Sequence, residues 1–335
     1  MAPTEGEAAA AEEVMARAAA SLAQLCAQHG IDESHGVAHA KCVLAHAERA
    51  VSSAHTPLLP SRVLALRLAA LLHDADDHKY FGRASAKEMA NASRIMRDAL
   101  EGARSFEGER AAIVADACLM ISLVSCSANG NSCPPRARDE PELLWPRWAD
   151  RLEAAGEIGV ARCYMHNQRE SVTPLAVDGV TPKPTTEAEA WAFATEERFA
   201  DYQARGGSSA SMLDHFYDKL LQVARPPPSL VRNAYLEAEA THRAAPLLRV
   251  CLHYGRTGEV AVDEIEAIMD KLGLRAAGAK QSSAKQPRQE EEEEEEASLH
   301  AKTMPKTGKK ACLALGVATN LEDARASTAP AEQSR

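Results

Sequence analysis

The chain has 335 residues, 45% hydrophobic and only 4% aromatic, with a formal net charge of −10. That length suits one large domain or two small ones, and the acidic balance excludes a general grip on nucleic acid, which needs a basic face. No run reaches the ~20 apolar residues of a membrane span, and the Glu- and Ala-rich start lacks the basic-then-apolar order of a signal peptide, so a soluble, cytoplasmic protein without membrane contact is expected.

Long Ala/Leu/Glu/Arg runs and scarce β-branched alternation predict an all-α fold. Residues 7–29 read as an amphipathic helix with Val14, Ala18, Leu22, Leu25 and Cys26 on one face. A second helix spans about 34–52, capped by Asp32 or Ser34, with His35 and His39 one turn apart on a shared face and Val43 pointing to a core. The linker AHTPLLPS leads into the apolar run Leu66–Leu72, which ends in His73 and Asp74. Helices over about 85–103 and 107–124 follow, then the polar loop SCSANGNSCPPRARDEP, a candidate substrate loop. The stretch LLWPRWADRLEAAGEIGVAR reads as helix and carries Asp150. Further helices are expected near 186–204, 209–225 and 229–254, with a short one near 261–272. From about 275 to 335 the composition cannot bury a core and reads as a disordered acidic tail; seven negative charges fall in Glu290–Glu296. The folded domain is therefore placed at 1–274. The eight cysteines (Cys26, Cys42, Cys118, Cys126, Cys133, Cys163, Cys251, Cys312) form no CxxC pair, which suits free thiols in a reducing compartment rather than a disulfide scaffold or a zinc ribbon.

An imidazole and a carboxylate side by side at the end of an apolar helix are costly to bury unless something pairs with them. A divalent metal ion suits both, since neutral His nitrogen and Asp oxygen are ligands for Mn, Fe and Zn and, less well, Mg. His39 on one side and Asp150 on the other supply further candidate ligands. Taken singly, each of these residues has an ordinary alternative as a hydrogen-bonded core or surface group.

The order His39, His73-Asp74, Asp150 resembles the signature of the HD superfamily of metal-dependent phosphohydrolases. The strings SHGVAHAKCV, ALLHDADDHKYF, VSCSANGNS, WADRLEAAGEIGVAR and SMLDHFYDKLL are similar, in the same order, to a nucleotide-pyrophosphohydrolase-like branch, over roughly residues 20 to 250. The resemblance implies a helical bundle around one divalent metal (Mn first; Mg, Fe, Co or Zn as alternatives) held by His39, His73, Asp74 and Asp150, with His39 rather than His35 as the first ligand. It also implies hydrolysis of a phosphoester or phosphoanhydride, with a (deoxy)nucleoside triphosphate as first choice of substrate. The alternatives are a 5'-nucleotidase-type phosphomonoesterase and an inactive nucleotide-binding regulator. Bacterial members usually read Ser-His-Asp where this chain has Ser34-His35-Gly36, so the resemblance does not carry their substrate preference over to it.

Within that reading, metal-bound water is the nucleophile, Asp74 is both ligand and catalytic residue, and Asp77 orients the water unless it is only a helix-end carboxylate. Lys79 and Arg162 are candidates to hold phosphate, and His35 to donate to phosphate or carry a proton. Lys219 faces substrate or makes a structural ion pair. Arg151 is a second phosphate candidate or the partner of Glu153. Asn129 and Asn131 either contact base or sugar or serve a turn. Asp76 and His78 are expected to be solvated or to sit behind the ligands. The expected partner is a small nucleotide; a homodimer is left open.

Overall fold

A computed structural model describes residues 3–31, 35–170 and 173–274. Every regular element among them is helical, as the composition predicts, and none is long and apolar enough to cross a membrane. The acidic tail and the caps expected from Asp32 or Ser34 fall outside the described residues.

Helix α1 (Glu5–His29) starts at a reciprocal capping box between Thr4 and Glu7 and buries Val14, Ala18, Leu22 and Leu25, spaced at helical period. Helix α2 (Val37–Ser52) buries Ala40, Val43, His46, Ala47 and Ala50. Helix α3 (Pro60–Leu72) has Pro at its first position, where no backbone donor is needed. From Leu64 to Leu72 every residue except Arg67 is buried. A helix apolar on all sides belongs in the middle of a bundle, and α3 packs against α1 and α2 and against α6 (Arg110–Val124). Arg67 escapes by reaching Glu12 at 2.8 Å and Glu48 at 2.8 Å on the rim.

The segment expected as one helix over 85–103 is two, α4 (His78–Glu88) and α5 (Ala90–Leu100), because Met89 between them has left-handed backbone, φ 49°. The expected Asp150 helix also divides, into α7 (Trp145–Glu153) and α8 (Gly156–Glu170). Gly156, at φ 75°, makes the corner with a conformation that side chains resist. The predicted 186–204 helix becomes α9 (Glu187–Phe193) and α10 (Glu196–Ala204), since Thr195 caps the second. The next helix, α11, runs through Met212–His215, a π-helical turn Phe216–Leu220 and Leu221–Ala224. Asn233 interrupts the 229–254 prediction by capping α12 (Ala234–Thr257), and α13 (Val262–Lys271) is the last described helix.

Two hydrophobic clusters result. The first joins α1, α2, α3, α5, α6 and α7 around Leu64–Leu72, Ile95, Met96, Met120 and Trp148. The second joins α8, α11, α12 and α13 around Phe216, Tyr217, Leu247, Cys251 and Ile265. Helix α12 serves both, with Leu236 and Ala240 in the first and Ala244 onward in the second. The seven described cysteines are all free thiols, as expected.

Candidate metal centre

The C-terminal end of α3 stops inside the bundle, facing α2 and α7. His73 is buried there, and its Nδ1 donates to the Ala70 carbonyl at 2.9 Å. That bond spends the Nδ1 proton and leaves Nε2 with a lone pair pointing away from α3. Opposite stands His39 of α2, with Nε2 3.2 Å from His73 Nε2. Asp74 Oδ2 lies 3.3 Å from His73 Nε2 and 3.7 Å from His39 Nε2. Asp150 Oδ1, brought by α7, lies 3.3 Å from His39 Nε2 and 3.5 Å from His73 Nε2.

Two imidazole nitrogens and two carboxylate oxygens so close together make a donor set that suits a divalent cation. Neighbouring ligands about 2.1 Å from one ion lie about 3.0 Å apart in an octahedron and about 3.4 Å apart in a tetrahedron, and the five distances above, from 3.2 to 3.7 Å, lie at or somewhat beyond that spacing. His39, His73 and Asp74 offer ligand atoms all within 4.8 Å of one another, so they can bind a metal ion. The electrostatics agree in kind. Burial opposes charge on His73, but Asp74 and Asp150 outweigh it and raise its pKa well above the ordinary value. Burial likewise works against the Asp150 carboxylate, yet hydrogen bonds from His39 and His73 hold it well below the usual range. Asp74 is lowered too, with His73 the main force against burial and His35 a lesser one.

His35 therefore stands near the cluster, but not as predicted. It precedes α2, whose N-cap is Gly36, so the one-turn relation to His39 does not hold. Instead it joins Asp77 and Lys79: Lys79 Nζ is 3.1 Å from His35 Nε2, and Asp77 Oδ2 is 3.8 Å from His35 and 4.0 Å from Lys79. Asp77 also caps α4 through Oδ1, accepting from the Lys79 amide at 2.9 Å. One of its oxygens is thus structural and the other faces the basic pair.

Asp76 is in part a correction. Of the two places expected for it, solvent is excluded: it is buried and accepts from Ser85 Oγ at 2.7 Å and from the amides of Asn91 and Ala92 at 2.9 and 2.8 Å. Met89, the residue before α5, gives no side-chain cap, so Asp76 caps that helix from 15 residues away. His78 is exposed as expected.

Arg151 is also a correction. It does not pair with Glu153 on the surface. It is buried, lies 4.8 Å from the Trp148 ring, and donates to the Gly130 carbonyl and, at 2.7 Å, to Asn131 Oδ1. Arg147, one turn earlier and also buried, donates to the carbonyls of Leu123 and Ser132. Burial and then the Arg151 charge bring Arg147 down to about 10, still cationic at neutral pH. The two guanidiniums latch the 125–133 loop to the helix that carries Asp150. Asn129 turns inward to the carbonyls of Ser122 and Ser125, the turn role.

Arg162 lies half-buried on α8 and Lys219 half-buried on the π-helical turn; among the described residues neither is in contact with the four clustered side chains, and Lys219 lies 6.0 Å from the Tyr202 ring centre. One supporting network escaped the sequence reading. His46 binds the Tyr235 hydroxyl at 2.6 Å and Glu153 at 3.0 Å, and Arg243 reaches the same Glu153 oxygen at 3.0 Å. This joins α2, α7 and α12 just beyond His39 and Asp150. The signal was spacing: His46 follows His39 by two turns and Glu153 follows Asp150 by one.

No family model matches the chain. Over 229 residues it is 34% identical to the uncharacterized protein L803 of Acanthamoeba polyphaga mimivirus, a match covering 66% of this chain and 88% of that protein. Among solved structures, a Northeast Structural Genomics target from Lactobacillus plantarum aligns with TM-score 0.43 and 22% identity over 76% of this chain and 97% of its own. The Lin1889 protein of Listeria innocua aligns with TM-score 0.42 and 17% identity over 79% and 98%. By extent and identity of the sequence match, the chain belongs to the family of mimivirus protein L803.

Proposed function

We propose that the protein is a metal-dependent phosphohydrolase of the HD type, acting on a phosphoanhydride of a (deoxy)nucleoside triphosphate. The observation that carries the reading is the meeting of His39, His73, Asp74 and Asp150 from three helices, with His73 held by Ala70 in the tautomer a metal needs. Two imidazoles and two carboxylates favour Mn or Fe(II) over Mg by ligand type. A bound divalent ion would polarise a phosphoryl oxygen and lower the pKa of a coordinated water.

The chain's own residues do the rest. The Asp77 oxygen that faces His35 and Lys79 is placed to hold a water proton. Lys79, exposed at its tip beside His35, meets phosphate charge. Asp74 and Asp150 offset most of a divalent charge, so the substrate's negative charge must be met by such cations rather than by the metal alone.

The test is product analysis on a nucleotide panel with Mn, comparing wild type with Asp74→Ala. Pyrophosphate release that the substitution abolishes is the expected result. Orthophosphate from monophosphates would replace the reading with the nucleotidase one. No turnover by metal-loaded wild type would overturn hydrolysis of nucleotides and leave a binding protein.

A further inference from the structure

Away from the metal cluster, a cavity of about 520 Å³ lies between α5 and α6, within the ~300–1,000 Å³ of small-molecule sites. Helical spacing builds its walls. Ser93, Arg97 and Leu100 line it at i, i+4 and i+7 on α5, and Arg110, Val114 and Cys118 at i, i+4 and i+8 on α6, so each set shares a face. Ser93 Oγ, 3.4 Å from Cys118 Sγ, ties the two helices at one end. The chain turns back between Leu100 and Arg110, so the helices run antiparallel from that contact. One turn along α5 to Arg97 is matched by one turn back along α6 to Val114. Arg110 lies one turn further, about 6 Å along the axis. Arg97 and Arg110 thus share the end of the cavity opposite Ser93.

The chain supplies no anion for either guanidinium. Among the described residues neither Arg97 nor Arg110 has an ion pair; Asp98, next to Arg97 in sequence, pairs with Arg94 at 3.6 Å. Arg110 spends one N–H on the Ala103 carbonyl at 3.3 Å, while its Nε–H is buried without an acceptor. A buried donor left unpaired is costly, and a turn of the guanidinium toward a ligand oxygen would pair it. The rest of this end is apolar: Leu100 is buried, Val114 is half-buried, and Ala111 and Ala115 add only methyl groups. Such a wall takes a hydrocarbon body and offers no hydrogen-bond donor.

We infer that this cavity binds a small carboxylic acid, with its carboxylate held between Arg97 and Arg110 and its apolar chain laid on Leu100, Val114 and Ala115. A carboxylate presents two in-plane oxygens, which suit planar guanidinium forks. A phosphate would bring a third oxygen and a second charge, for which Leu100, Val114 and the alanines have no donor. The cavity shares no residue with the metal cluster, and the inference does not rest on the hydrolase reading.

The test is calorimetric titration of the full chain with octanoate, and with octanol, acetate and octyl phosphate for contrast. Octanoate should bind, and each of the others about tenfold or more weakly: octanol lacks the charge, acetate the apolar body and octyl phosphate the matching head group. Arg97→Gln and Arg110→Gln should each weaken octanoate binding by about tenfold, the loss of one charge-assisted hydrogen bond. Arg97 is exposed, so its replacement leaves the fold intact; melting curves matched to wild type would show the same for Arg110→Gln. A second readout marks the place. Bound octanoate should slow alkylation of Cys118, half-buried on the cavity wall, and leave that of exposed Cys42 unchanged. No octanoate binding by wild type, equal binding of octanol, tighter binding of octyl phosphate, full affinity in Arg97→Gln or an unprotected Cys118 would each overturn the inference.

Discussion

Asp74 and Asp76 are two residues apart, yet the structure gives them unrelated work, and Asp76→Ala separates the two. The Asp76 carboxylate accepts three hydrogen bonds, from Ser85 Oγ and the amides of Asn91 and Ala92. The Ala92 amide is buried and becomes an orphan donor when the carboxylate is removed, and the Asn91 amide is left only partly reachable by water. One orphaned buried donor costs about 1–3 kcal/mol, a lost charge-assisted bond about 1.5–3, and a lost cap about 1. These overlap, because the cap and the two amide bonds are the same contacts, so the expected destabilisation is about 3–5 kcal/mol. For a domain of this size that lowers Tm by about 6–20 °C. Asp76→Asn keeps one acceptor oxygen for Ser85 and Asn91 but turns an amide donor toward Ala92, and should fall between. The assay is thermal melting by far-UV circular dichroism alongside metal content at low temperature. Asp76→Ala should melt early with metal retained per folded molecule, whereas Asp74→Ala should lose metal. An Asp76→Ala chain that melts with wild type would refute the capping argument.

Other expectations follow from the same geometry. Adding Mn should raise the Tm of wild type, by the equivalent of about 2.7 kcal/mol at a hundredfold excess over Kd, and should leave His73→Ala unmoved; a rise in that variant would remove His73 from the ligand set. Glu153 is buried, which opposes its charge, but His46 and Arg243 outweigh that and lower its pKa. A lowered carboxylate stabilises the fold above its unfolded pKa of about 4.3, and the gain is lost as pH falls through the folded value. Glu153→Gln should therefore be less stable at neutral pH by about 1–3 kcal/mol, with the gap to wild type closing in acid; a gap constant down to acid pH would contradict the ion-pair account. In α12, a Cβ on Gly255 would overlap the Pro184 carbonyl. Because backbone cannot swing aside, Gly255→Ala should cost about 1–3 kcal/mol and speed limited proteolysis in the 173–186 segment; unchanged cleavage would show the loop can yield.

Much of the architecture was legible because it depends on local chemistry. The apolar run Leu66–Leu72 sits in helix-forming sequence and reads as a buried helix, and a helix that ends inside a bundle leaves His73 and Asp74 where His39 and Asp150 can reach them. Helical period likewise placed Val14, Ala18 and Leu22 on the buried face of α1. The breaks at Met89, Gly156, Thr195 and Asn233 were less legible, because one turn residue within helix-forming sequence barely changes the average propensity. The roles of Asp76 and Arg151 were not legible at all. Asp76 has the same neighbours in sequence as a solvated carboxylate, and only the return of α5 brings the Asn91 and Ala92 amides onto it. Arg151 follows Asp150 on a helix that reads as amphipathic, and only the 125–133 loop closing over Trp148 buries it. By itself the sequence determined most of the helices, through periodicity, and the candidate metal ligands, through the chemistry of His and Asp together with the resemblance to the HD superfamily. Tertiary packing alone decided which polar groups lose water, and hence which carboxylates cap helices and which guanidiniums hold loops.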